Sequence, residues 1–271
     1  MLNKILRKID FLLFNNVIIN QFLILIGKDN LIKKKSLYWS KKNFHSIHAL
    51  NYSDDKTVAE NVGYSNYPEI QDSLLKQKNR LAAYSQKNLK AGDEVLDIGC
   101  GTGLFMEVFL PDVKINGIDL HTKFLEITQQ RFPNAVLFCG DYLTLDFKKK
   151  FKLIYLFGVL MYFEPNKIDL FFKRSFDLLE EDGILYFQYQ HAVRYLDLFY
   201  PDLTYIKYAP SVINKHVSKY FDIEIHEHAF DGRKFEDYDR KPYYFPDGTN
   251  TRTDTNLNNY LMIARKKKIM A

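Results

Sequence analysis

Apolar positions change their spacing along the chain, and the change divides it. Leu2, Ile5, Leu6, Ile9, Leu12 and Leu13 recur at helical spacing, with Asn3, Lys4, Arg7, Lys8 and Asp10 on the other face, which predicts an amphipathic helix. It runs on toward Ile26, where Gly27 stops it. From about Lys90 short β-branched runs alternate with helical stretches, the pattern of βαβ units on a parallel sheet. Strands are expected at 94–98, 114–119, 135–138, 152–157 and 183–190, and helices at 103–110, 122–132 and 166–180. A helix near 210–219, a strand Phe221 to His228, a long polar and aromatic loop and a last strand near Tyr260 to Ala264 follow, so a closing antiparallel pair is expected. The chain therefore reads as α/β in three blocks. These are a basic amphipathic helical arm over 1–42, an N-terminal cap over 43–87, and a main domain over 88–268 with inserts at 191–220 and 229–257.

Composition agrees with a globular chain: 271 residues, 46% of them hydrophobic, suffice to bury one full core. Charge refines the picture. The arm over 1–42 carries +7 and the run Arg265 to Lys268 another +4, so within an overall charge of +5 the stretch 43–264 holds −6. An acidic body makes nucleic acid an unsuitable partner and moves any anionic partner to the two basic ends. For the N-terminal helix two readings stay open: a cap docked on the main domain, or a helix lying in a membrane interface through residues 1–35 with its lysines toward anionic lipid. Phe11 to Ile26 falls short of the roughly 20 apolar residues of a spanning helix. Asn15, Asn16, Asn20 and Gln21 interrupt it, and no small-residue cleavage site follows, so no signal peptide is read. Cys100 and Cys139 form no zinc-binding spacing, and a reducing cytoplasm, with peripheral membrane contact through the arm, is the expected location.

The chemistry concentrates where the first core strand ends. Glu94 to Ile98 runs into Gly99, Cys100, Gly101, Thr102 and Gly103, and a helical pattern begins at Leu104. Glycines belong there because the chain turns sharply and a ligand must lie against bare backbone. A dinucleotide fingerprint wants glycine at 104, where this chain has Leu104. Asp97, two residues before the first glycine, would repel a pyrophosphate but suits the ammonium and sulfonium of S-adenosylmethionine. Asp119, with its neighbour Leu120, ends the second strand sixteen residues past Gly103, where a carboxylate can accept both ribose hydroxyls.

With these residues in view, Val95 to Gly103 resembles the first motif of the class I, Rossmann-like S-adenosylmethionine-dependent methyltransferases, hydrophobic-hydrophobic-Asp-hydrophobic-Gly-x-Gly-x-Gly, without a departure. The resemblance covers roughly 90–265. It implies a seven-stranded, mostly parallel sheet with strand seven antiparallel and helices on both faces, here with an N-terminal helical extension. It also implies S-adenosyl-L-methionine as co-substrate, held by Asp97, Gly99, Cys100, Gly101, Gly103, Asp119 and Leu120. By the same analogy Asp141 and Tyr142 flank the adenine, and Phe157, Gly158 and Val159 line the methionine and methyl pocket.

The end of strand four narrows the acceptor. Amino methylation of adenine or glutamine in this family looks like Asp/Asn-Pro-Pro-Tyr there, whereas this chain has Phe157, Gly158, Val159 and Leu160. Ile154 to Phe163 offers no hard carboxylate ligands, so no metal is expected. Methyl transfer to a hydroxyl needs alignment and a base. His191, just after strand five, is the first candidate, Glu164 the second, and Tyr162 a wall of the methyl pocket. The leading reading is an O-methyltransferase of a small molecule or of a glycan or lipid-linked saccharide. Its rivals are N- or C-methylation of a small metabolite and a non-catalytic scaffold that keeps only the fold.

Overall fold

The computed structural model describes residues 68–163, 165–190, 208, 210–229 and 259–268. The basic arm 1–42, most of the cap 43–87 and most of both inserts lie outside the described residues.

Helix α1 (Pro68–Asn88) opens on a proline, whose missing N–H is harmless in a first turn, and buries Leu74 and Leu81 two turns apart. Strands β1 (Glu94–Ile98), β2 (Lys114–Asp119), β3 (Val136–Cys139), β4 (Phe151–Leu156) and β5 (Leu179–Gln190) follow, with helices α2 (Thr122–Arg131) and α3 (Ile168–Leu178) between them. Helix α4 (Pro210–Tyr220), β6 (Phe221–His228) and β7 (Asn259–Lys266) complete the order. All seven strands form one sheet, β3-β2-β1-β4-β5-β7-β6. The first five are parallel, and β7 enters antiparallel between β5 and β6. From β1 the chain winds outward through β2 to β3, then returns to lay β4 on the other side of β1. The crevice at such a reversal, outside the carboxyl ends of the strands, is where open α/β sheets hold ligands.

Strand alternation sends Leu96, Ile98, Ile154, Leu156, Leu185 and Phe187 to one face, under Phe171, Phe172, Ile213 and Val217 of α3 and α4. Val95, Leu153, Tyr155, Ile184 and Tyr186 face the other way, under Leu74 and Leu81 of α1. Leu125 of α2 packs on Cys100 and Met106 beside β2 and β3. The helices expected on both faces are there.

Four features differ from the sequence reading. The expected helix over 103–110 is a series of turns with one 3₁₀ turn at Met106–Val108, closed by bonds such as Met106 N–H to Gly103 O. No α-helix forms over this stretch, so no helix dipole faces the crevice from it. The long helix α1, which the sequence pattern did not announce, shares the core, so the packed unit begins before residue 88. Of the basic run at 265–268, Arg265 and Lys266 are built into the sheet, whereas Lys268 beyond it is exposed. Lys266 is only 8% exposed, its Nζ donating to Leu179 O at 2.8 Å and lying 4.7 Å from the Phe176 ring centroid, while Lys267 donates to Ser218 O. Finally, Tyr208, inside the expected insert over 191–220, is buried against the core and donates to Phe163 O at 2.5 Å.

Candidate functional site

Beyond Ile98 the chain reverses over the carboxyl ends of β1 and β2. Gly99 and Gly103 sit at φ +68° and +74°, backbone geometry that side chains disfavour. Space excludes side chains as well. A Cβ on Gly99 would lie 2.5 Å from Val159 Cγ2, and one on Gly103 would lie 2.8 Å from the Phe132 ring. Val159, expected in the methyl pocket, thus stands directly against the first glycine and closes the wall between β1 and β4.

The turn is held from behind. The Thr128 hydroxyl of α2 reaches Gly101 O at 2.7 Å, shared with Phe124 O at 3.0 Å, and the Arg131 guanidinium donates to Thr102 O. Arg131 also meets Glu107 at 3.1 Å, and Glu107 accepts Lys78 of α1 at 2.7 Å. Two helices therefore brace one loop. Thr128 and Arg131 escaped the sequence reading, although a threonine on the apolar side of α2 was a usable signal.

Asp119 is fixed before any ligand arrives. Gly101 N–H donates to its Oδ2 and His121 N–H to its Oδ1, both at 2.9 Å. Each carboxylate oxygen keeps a further acceptor position, enough for two vicinal hydroxyls. Leu120, expected beside it, is 57% exposed at the same rim, with the exposed Cys139 Sγ 3.8 Å from its carbonyl oxygen.

Asp97 is 4% exposed in the middle of β1. Burial raises its carboxyl pKa well above the ordinary range; the Tyr155 hydroxyl opposes this and the charge of Asp119 adds to it. Among the described residues no Lys, Arg or His acts on Asp97. A buried carboxylate without a cation, beside a second carboxylate and a bare glycine turn, suits a ligand that brings positive charge and hydroxyls. The ammonium, sulfonium and ribose of S-adenosylmethionine meet those demands. A dinucleotide pyrophosphate does not.

The remaining expected residues fall into three groups. The Cys100 side chain packs behind the turn with Met106 and Leu125, leaving only its backbone to the crevice. Asp141 is exposed after β3 and accepts Leu143 N–H at 2.9 Å, but the Tyr142 ring turns into the core, bonded to Ser175 Oγ at 2.9 Å and packed on Phe171. The ring expected beside the adenine is thus a core side chain. Phe157 stacks on Phe105 at 3.8 Å, so β4 and the glycine turn are joined by two rings, with exposed Gly158 following. Tyr162 is half-buried in the 3₁₀ turn Leu160–Tyr162. His191 and Glu164 lie outside the described residues.

A family profile described as "Methyltransferase domain" matches residues 95–183, from β1 to the beginning of β5. Over this segment the chain is similar to methyltransferase domains. Two curated methyltransferases resemble the chain in sequence. Sphingolipid C9-methyltransferase 1 of Gibberella zeae is 29% identical over 137 residues, which is 46% of this chain and 27% of that one. Malonyl-[acyl-carrier protein] O-methyltransferase of Acetivibrio thermocellus is 27% identical over 129 residues, 46% of this chain and 44% of the relative. The chain spans less than half the length of either. Among solved structures, the N-methyltransferase NodS of Bradyrhizobium japonicum in complex with S-adenosyl-L-homocysteine superposes with a TM-score of 0.58 at 16% identity, over 86% of this chain and all of that one. An S-adenosylmethionine-dependent methyltransferase from Clostridium acetobutylicum gives 0.53 at 15%, over 71% and 91%. These likenesses show the methyltransferase fold. Among the described residues of the domain and its flanks, no cluster of three His, Cys, Asp or Glu is placed to hold a metal ion.

Proposed function

We propose that the whole chain is an S-adenosylmethionine-dependent methyltransferase acting on an oxygen of a small molecule or of a glycan or lipid-linked saccharide. The observation that carries the donor half is the buried Asp97, which no cation among the described residues faces, beside the Gly99–Gly103 turn and the amide-locked Asp119. The sulfonium supplies the driving force when the donor binds. The chain has to orient its ammonium at Asp97 and its ribose at Asp119, and shield the methyl between Val159 and its neighbours. For an oxygen acceptor, His191 or Glu164 takes the hydroxyl proton and Tyr162 borders the methyl. Support for a lipid or carrier-bound acceptor comes from the names of the sphingolipid and acyl-carrier-protein relatives.

The test offers labelled S-adenosylmethionine to the purified full chain with lipid-linked sugars, hydroxylated metabolites and carrier-bound carboxylates. Transfer to one class assigns the acceptor, and no transfer to any of them rejects the proposal. Carbon methylation is a second reading, favoured by the sphingolipid C9 relative. A rate that survives replacement of both His191 and Glu164 would speak against an oxygen acceptor, which needs a base, and for transfer to nitrogen or carbon, which the position of the new methyl in the product tells apart. A cytoplasmic protein resting on a membrane through residues 1–35 fits a lipid-linked acceptor. No described helix is long and apolar enough to cross a bilayer. Sedimentation with anionic liposomes should be salt-sensitive and vanish when residues 1–35 are removed, and equal sedimentation of the truncated protein would reject this contact.

A further inference from the structure

Tyr155 lies near the carboxyl end of β4, and its Cα is paired with that of Asp97 in the β1–β4 register, so the two side chains stand side by side on one face of the sheet. Both are fully enclosed. The ring sits among Phe109, at 5.1 Å, and Phe157, at 6.3 Å, contacts that phenylalanine would make equally well. The hydroxyl is therefore unexplained by packing. Of the described residues only Asp97 engages that hydroxyl, at a geometry short of a full hydrogen bond, an unfavourable state for a buried polar group, while no cation among them faces the carboxylate.

The geometry points to Tyr155 as the positioning residue of Asp97: its hydroxyl donates to one carboxylate oxygen and aims the other at the ammonium of the incoming donor. The assignment rests on the donor reading above. Three titratable groups bear on Asp97: Tyr155 from β4, Asp119 from the end of β2, and Cys100 from the turn. Asp119 and a Cys100 thiolate oppose its ionisation, whereas a hydrogen bond from Tyr155 favours it. Tyr155 has no such alternative partner in Cys100, whose own ionisation burial suppresses. Among the described residues the hydroxyl is thus the side chain acting on Asp97 that favours the charged form the donor needs.

Tyr155→Phe keeps the ring and removes only the bond. In the donor-free protein, the carboxyl resonance of isotope-labelled Asp97 should titrate about one pH unit higher in Y155F, a tenfold change in its ionisation constant. The acidic limb of S-adenosylmethionine affinity, read by calorimetry against pH, should move up by the same unit. Asp97→Asn should flatten that limb. In the wild type, the Tyr155 Cζ resonance should follow the Asp97 titration, a readout that does not depend on the variant folding. Superimposable Asp97 titrations in wild type and Y155F, or a Tyr155 resonance indifferent to that titration, overturn the assignment. A wild type that binds no donor at any pH rejects the methyltransferase reading instead, and the carboxyl titration still reports separately on the bond.

Discussion

Replacing Gly99 with alanine adds one methyl group at the point where β1 meets the end of β4. Two independent penalties follow. The residue holds φ +68°, and a left-handed conformation costs an L-residue about 1–2 kcal/mol. The new Cβ also lies 2.5 Å from Val159 Cγ2 and 3.3 Å from its Cγ1, an overlap that can be relieved only by moving Val159, at about 1–3 kcal/mol for an overpacked site. Together they predict a loss of about 2–5 kcal/mol, a large share of the roughly 5–15 kcal/mol that holds a domain folded. Val159→Ala removes both colliding atoms but leaves the backbone penalty. The double variant should therefore recover about 1–3 kcal/mol relative to the sum of the single ones. Urea denaturation of the four proteins, followed by circular dichroism, measures the cycle, with calorimetry reporting donor affinity alongside. A Gly99→Ala protein within about 0.5 kcal/mol of wild type, or strict additivity in the cycle, would refute the packing of Val159 on the turn.

Three further outcomes are expected. Burial raises the Asp97 pKa in the folded chain above its unfolded value, so stability declines as pH rises from the ordinary carboxylate range through that raised pKa. Asp97→Asn should remove this slope and raise the donor-free melting temperature at neutral pH, while weakening donor binding at least tenfold; a lower melting temperature would contradict the uncompensated charge. Tyr142→Phe deletes the bond to Ser175 and should cost about 0.5–1.5 kcal/mol in denaturation without altering donor affinity. An affinity change would return that ring to the adenine. Leu81→Ala, at a fully buried position of α1, should lose about 2–5 kcal/mol, and a thermal melt unchanged from wild type would show that α1 is not part of the cooperative core.

Much of the parallel core was readable because its signals are local. β1 and β6 were expected over the residues they occupy, and the closing antiparallel pair followed from two apolar runs with a long polar stretch between them. Asp97, the glycines and Asp119 were legible because turn geometry and charge restrict what can stand there. What escaped depended on distant partners. A glycine-led stretch before Pro111 read as a helix, since apolar spacing does not separate an α-helix from a series of tighter turns. Tyr142 read as a ligand neighbour because nothing nearby in sequence announces Ser175, which sits a helix away. Tyr155 read as one more strand position, and only the pairing of β4 with β1 reveals the carboxylate beside it. The charges of Arg265 and Lys266 were visible, but their capture by Glu224 and Leu179 O was not.

The insertion of β7 between β5 and β6 dictates an order of assembly. While the chain is being synthesised, β6 emerges before β7, its strand partner among the described residues. Until residue 266 is available, two open edges stand where the finished molecule has a ladder, and the strand that carries His226 waits unpaired. A nascent chain released before that point would expose both edges to any passing strand. Residues 259–266 thus act as a keystone, and their timing, more than their number, governs whether this part of the sheet closes on itself or on another molecule.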